Sequence, residues 1–531
     1  MKLRINRSLR LALLASFALL HPHTQANTIL MAEGVNASDI SSSSRFYDTG
    51  KGSYGFGSGG GAVSAAKELY NQSGNFNFLG ELEGRLVSTS TFEGRFANMT
   101  DDDMTCWAQA SSNIIQYWHS YYGVFYNGSR DLPYGYTYDK SLLSDLDGTL
   151  SLRMNLQIMD NVKNVGGNLM RFAEWFLQGV DDAGYFKTTG QGGYWKSFFT
   201  EGDPVTFQSV STLSDITNHL LPALGYTKNS SGTYTRTNKG LIAELSINRG
   251  EPGGHALTCY GVTLGSNGMV KSIYIADSDD KEYRLTELFV RYTNNRLELY
   301  RDAAFSQPYG WYVNEVKHLN TPEKLKSMLS QYENKSNALY WTGKSPDKIW
   351  HVNAQLNCDT LPGNDSAWKV SVNGTYYPIR NSANRSVVFN DTASGATSDN
   401  VVRIYPKGNG NVSALSFTNT KYYYALFGDN NNITAESITV SGGNAAQFND
   451  LTLQTNNATV SNGWVTLASG AKWTGVATIN SGGGLVLSEG RAALTTLTFE
   501  SGSFLNVLSD STLSAEWTEM KGPITLRYVA N

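Results

Sequence analysis

The sequence predicts a mixed α+β domain over residues 76–355 followed by an all-β repeat domain over residues 356–531. Three observations carry this reading. Helical and strand patterns intermix up to about residue 355, and every histidine beyond His21 and His23 (His119, His219, His255, His318 and His351) lies there. Residues 360–531 hold no Cys and no His, and short alternating apolar runs stand among Asn, Ser, Thr and Gly. A chain of 531 residues also exceeds one ordinary domain.

The first residues read as an export signal over 1–26. Lys2, Arg4, Arg7 and Arg10 make a positive start, Leu11 to Leu20 is apolar apart from Ser16, and Thr24-Gln25-Ala26 offers small residues for cleavage. The alternative, a membrane anchor, meets a run only about half a bilayer span long. No later segment reaches the roughly 18 apolar residues that a span needs. The expected mature protein is therefore secreted or at the cell surface, without a transmembrane span. Residues 27–75 are Ser- and Gly-rich, with the run Gly50 to Gly61, and read as a flexible leader.

Charged residues make up 17% and hydrophobic ones 40%, with 52 Gly and 30 Tyr, which suits a strand-rich globular protein. A net charge of −4 supplies no basic face for nucleic acid.

In the C-terminal part, Ile438-Thr439-Val440, Leu451-Thr452-Leu453, Val465-Thr466-Leu467, Ala477-Thr478-Ile479, Leu485-Val486-Leu487 and Leu497-Thr498-Phe499 are period-2 runs separated by Gly and Asn turns. Steps of 13, 14, 12, 8 and 12 between their first residues suggest a stacked β-solenoid, with a β-sandwich as the alternative. Few groups there suit acid–base or nucleophilic work, so display, spacing or attachment to the cell envelope is the expected role.

An exported chain with three cysteines leaves at least one unpaired. Around Cys106, apolar residues at 107, 110, 114, 115, 118, 121 and 122 follow helical spacing, while Asp101, Asp102, Asp103 and Thr105 supply N-cap candidates. Cys106 thus falls at the start of a helix, where unpaired N–H groups and the helix dipole favour a thiolate. Its own N–H can then donate to an oxyanion. A buried structural cysteine is the bland reading, so the argument turns on a base.

Gly253-Gly254-His255 begins a strand-like run. A turn at Gly265-Ser266-Asn267-Gly268 follows, then Lys271 to Asp277. A hairpin with equal arms brings its two ends, His255 and Asp277, together, so that the carboxylate can orient the imidazole. The cluster Asp277-Ser278-Asp279-Asp280 has a calcium-loop alternative, although no spaced ligand set follows. Cys259 reads as core or as a disulfide partner of Cys358.

Three segments resemble the IdeS/Mac family of secreted, papain-like, immunoglobulin-degrading cysteine peptidases. They are Thr91-Phe92-Glu93-Gly94-Arg95, Asp101 through Trp118, and His255 through Asp279, within residues 80–320. The resemblance implies a papain-like catalytic domain with Cys106 as nucleophile, His255 as base, Asp277 as orienting carboxylate and Asp279 as a supporting acid. Ser90 stands where the family has an oxyanion-hole lysine, which leaves Arg95 as the candidate for the second oxyanion donor. Trp107 also replaces the family's small residue after the cysteine. The C-terminal region resembles autotransporter passenger sequence.

The expected function is a secreted cysteine endopeptidase acting on immunoglobulin G or a similar folded host protein, with no metal or organic cofactor. A broader-specificity secreted cysteine protease, an acyltransferase using the same residues, and a surface adhesion protein with an inactive peptidase-like domain are the alternatives.

Overall fold

The computed structural model describes residues 27–33, 35, 106–127, 167–180, 192–200, 202–250, 254–277, 285–334, 336–343, 348–352, 367–379, 385–393, 399–508 and 510–529. The chain divides into two compact units. The main passage between them falls at Pro322/Glu323, and 122–131 joins the second unit. The sequence places its change of texture later, at 355/356.

The first unit contains strands β1 (Thr28–Met31), β2 (Val205–Ser209), β3 (Tyr226–Lys228), β4 (Tyr234–Arg236), β5 (Ala243–Asn248), β6 (Gly254–Leu264), β7 (Val270–Asp277), β8 (Thr286–Thr293), β9 (Arg296–Tyr300) and β10 (Pro308–Leu319). Antiparallel pairing runs β6-β5-β10-β9-β8-β7 and returns from β7 to β6, so the strands close into a barrel. Closure removes open sheet edges and turns alternate side chains inward. Leu245, Ile247, Leu257, Cys259, Ile273, Ile275, Leu288, Val290, Leu297, Leu299, Val313 and Val316 form that packed interior.

β1 extends the barrel on the half of β6 that β5 leaves open, with Met31 opposite Gly261. Leu30, Met31, Ala32 and Val35 are buried, and Tyr226 Oη donates to Met31 O at 2.7 Å. The start of the expected flexible leader is therefore a built strand. The Gly/Ser composition that suggested a leader belongs to residues further on, which lie outside the described ones.

Helix α1 (Cys106–Tyr122) buries Trp107, Ala110, Ile114, Ile115, Trp118, Tyr121 and Tyr122, the stripe its spacing predicts. It also buries Ser111, Asn113, Tyr117 and His119, so packing reaches beyond one face. Buried polar groups need partners. Asn113 Nδ2 donates to Thr258 Oγ1 at 3.0 Å, and Trp118 Nε1 to Thr321 Oγ1 at 2.9 Å. Helix α2 (Val124–Asn127) follows it in the chain. Helix α3 (Leu169–Ala173) starts at an Asn168 cap and runs into a π-helical turn, Glu174–Gln178. Helix α4 (Leu213–Ala223) has a Thr212/Asp215 capping box and packs Ile216, Leu220 and Leu221 into the barrel core.

A buried ion pair ties these parts together. Lys317 Nζ on β10 meets Glu244 Oε1 on β5 at 2.9 Å. The other carboxylate oxygen accepts from Leu169 N, at the start of α3, at 3.1 Å. It also faces Ser111 Oγ of α1 at 3.5 Å, the long end of hydrogen bonding.

In the second unit, parallel strands stack as a β-solenoid of about six turns over residues 401–528. The alternative sandwich is thereby excluded for this region. Inward residues align through the register as ladders, such as Phe417, Val440, Val460, Ile479 and Phe499. The start of the stack is covered by strands Leu339–Trp341, Trp368–Val372 and Thr375–Ile379. Buried Trp341, Trp350, Trp368 and Phe389 pack edge-on or tilted there, with ring centres 5.0–6.4 Å apart. Such pairs add about 0.5–1.5 kcal/mol beyond area burial. Helix α5 (Glu323–Glu333) lies beside this cover, with Tyr332 Oη donating to Pro378 O at 2.8 Å. At the far end, Trp517, Met520, Leu526 and Tyr528 are exposed. No helix among the described residues is long and apolar enough to cross a membrane.

Candidate functional site

Cys106 is the first described residue of α1. The thiol is free and 7% exposed. The preceding residues 101–105, including the N-cap candidates, lie outside the described ones.

β6 and β7 form the hairpin that the strand lengths predict. Leu257 stands opposite Asp277, so the beginning of one arm meets the end of the other. His255 Nε2 and Asp277 Oδ1 are 2.7 Å apart, with side chains 7% and 10% exposed. The second nitrogen of the ring is left for Cys106, whose sulfur hydrogen-bonds the imidazole.

Burial pulls the His255 pKa down, since a desolvated imidazolium is disfavoured. Hydrogen bonds to Asp277 and Cys106, together with their negative charges, outweigh it and raise the value to about 10. The proton therefore rests on His255 at neutral pH, between sulfur and carboxylate.

Two residues from β10, unanticipated in the sequence, complete the surroundings. Tyr309 Oη donates to Asp277 Oδ2, so both carboxylate oxygens are engaged. Trp311 lies against His255, with ring centres 5.7 Å apart. The aromatic run Tyr309-Gly310-Trp311-Tyr312 was the available signal, but its spacing from His255 carries no register until the barrel closes.

Of the sequence-predicted site residues, Cys106, His255 and Asp277 come together. Asp279 and Arg95 lie outside the described residues, as does Cys358. Cys259 is a free thiol, 0% exposed in the barrel core and donating to Gly261 O at 3.4 Å. Burial pushes its pKa up to about 12, which keeps it an inert thiol and accords with the core reading over the disulfide.

The arrangement can perform nucleophilic acyl transfer. The imidazole is bonded to the carboxylate on one side and to the sulfur on the other. Comparison with known proteins finds no family model that matches the chain and no curated protein that matches it.

Proposed function

We propose that the chain is a secreted cysteine endopeptidase whose first unit is a papain-like catalytic domain. The observation that carries this reading is His255 bonded on one side to Asp277 and on the other to Cys106. In the reaction the Cys106 thiolate attacks the peptide carbonyl, and the Cys106 N–H supports the oxyanion. His255 gives its proton to the leaving amine as the C–N bond breaks, which leaves a thioester on Cys106. The now neutral His255 takes a proton from water, the hydroxide attacks the thioester, and the acid product leaves as the thiolate and imidazolium re-form. Tyr309 and Asp277 hold the ring in place throughout. No metal or organic cofactor enters this scheme.

The resemblance to immunoglobulin-degrading peptidases supports immunoglobulin G, or a similarly folded host protein, as substrate. The leader-like first 26 residues support export, and the solenoid supports display or attachment at the cell envelope. Incubation of mature protein with intact immunoglobulin G, beside Cys106→Ala, tests the reaction and its substrate on a non-reducing gel with mass spectrometry. A single hinge cut that needs Cys106 is the expected result. A Cys106-dependent cut in general protein substrates only would retain the chemistry and remove the antibody. No cut, with Cys106 resistant to alkylation, would favour an adhesion protein with an inactive domain.

A further inference from the structure

Beside the His255–Asp277 couple lie two exposed arginines with no anionic partner among the described residues. Arg249, in the turn between β5 and β6, places Cζ 5.1 Å from the Trp311 ring centre. Arg301, just after β9, places Cζ 4.7 Å from the Tyr309 ring centre. These are the two rings that contact His255 and Asp277. The neighbouring acid, Asp302, does not neutralise Arg301. Its oxygens accept from Ser306 N, Ser306 Oγ and Gln307 N at 2.7–3.2 Å and close their own turn. Arg296 makes a useful contrast, because it lies over Tyr312 but is already paired with Glu298 at 3.3 Å.

We propose that Arg249 and Arg301, seated on Trp311 and Tyr309, form a subsite for an acidic side chain on the leaving-group side of the scissile bond. The inference rests on the cysteine-peptidase reading. His255 must reach the leaving amine, so the substrate residues after the scissile bond pass the elements that flank His255. An extended chain advances about 3.3 Å per residue. With Trp311 5.7 Å from the imidazole and Arg249 5.1 Å beyond it, the guanidinium is at most about 11 Å away, the distance of roughly the second or third residue past the cut. A guanidinium resting on an aromatic face keeps its N–H edge directed outward, and that edge matches a carboxylate. Both arginines are solvent-exposed, so the pairing is modest and sensitive to salt.

The test digests a proteome-derived peptide library with the mature protein, with Arg249→Gln/Arg301→Gln and with Cys106→Ala, and maps the cut sites by mass spectrometry. Wild type is expected to cut about fivefold more often where Asp or Glu stands within the first three residues after the cut, an advantage that shrinks in 0.5 M salt because an exposed ion pair is screened. The double variant is expected to cut at the same overall rate on peptides with Gln or Asn there, without the acidic preference. Its rate of Cys106 alkylation by iodoacetamide should match wild type, which shows an intact site. Cys106-dependent cutting with no acidic preference, or with a preference that survives in the double variant, overturns the subsite alone. Absence of any Cys106-dependent cut overturns the peptidase reading and the subsite together.

Discussion

Replacing Asp277 by Asn separates the carboxylate's charge from its shape. A rise of the His255 pKa from 6.5 to about 10 is worth about 5 kcal/mol at ~1.4 kcal/mol per unit, net of the burial that opposes it. Asp277 and Cys106 share that support. With only the sulfur left, burial is expected to bring the imidazole down by about two units or more, so the imidazolium fraction at pH 8 falls from about 99% to about half. The assay is the pH dependence of Cys106 alkylation between pH 5 and 10.5, together with kcat/KM on a fluorescent protein substrate. Wild type should keep His255 protonated up to an alkaline limb near 10. The variant's limb should move towards neutrality, and kcat/KM should drop by about 10²–10⁴. An alkaline limb still near 10, with activity within a factor of about three, would sink the role given to Asp277. The same shift governs stability. Because the folded pKa lies above the unfolded one, the stabilisation is fully present below about 6.5 and is lost as pH rises through about 10.

Three further variants probe what holds the first unit together. Glu244→Gln leaves the buried Lys317 with only the more exposed Glu315, 3.1 Å away, as counter-charge and weakens the acceptor for Leu169 N–H, so a loss of about 1–3 kcal/mol in denaturant is expected. A Glu244→Met/Lys317→Met pair should cost less than that single change; an equal or larger cost would show that the charges themselves matter little. Gly261→Ala would set a methyl 2.9 Å from Leu30 O and against the Met31 sulfur, lifting β1 from β6. An expected cost of about 1–3 kcal/mol, with faster proteolysis near Met31, checks that contact, and unchanged stability would mean β1 adapts freely.

The sequence revealed those parts of the site that local rules determine. Helical spacing places Cys106 at a helix start, and equal hairpin arms place His255 near Asp277, since both depend on residues close in the chain. Tyr309 and Trp311 stayed hidden because β10 reaches β6 only through β5 and through the closing of the barrel. The Glu244–Lys317 pair was hidden because its two strands, though direct neighbours, bring together residues 73 apart in the chain. In the C-terminal unit the steps of 12 and 8 looked irregular, yet each turn contributes more than one run. Val465 pairs with Leu485 and Ala477 with Leu497, which restores one period of about 20 residues. β1 was lost within a composition average dominated by the Gly-rich residues after it.

The contrast between the two ends of the solenoid has a mechanical consequence. Each turn touches only its neighbours, so its cohesion is a chain of nearest-neighbour couplings, in contrast to the barrel, whose ring has no end at which to begin opening. The Trp341–Trp350–Trp368 cluster clamps the first turn. Residues 512–529 are held by one neighbouring turn among the described residues, with Trp517, Leu526 and Tyr528 facing water. Under denaturant or tension the array is therefore open to graded, turn-by-turn loss, resisted most where the tryptophans clamp it, while the barrel gives way in one cooperative step.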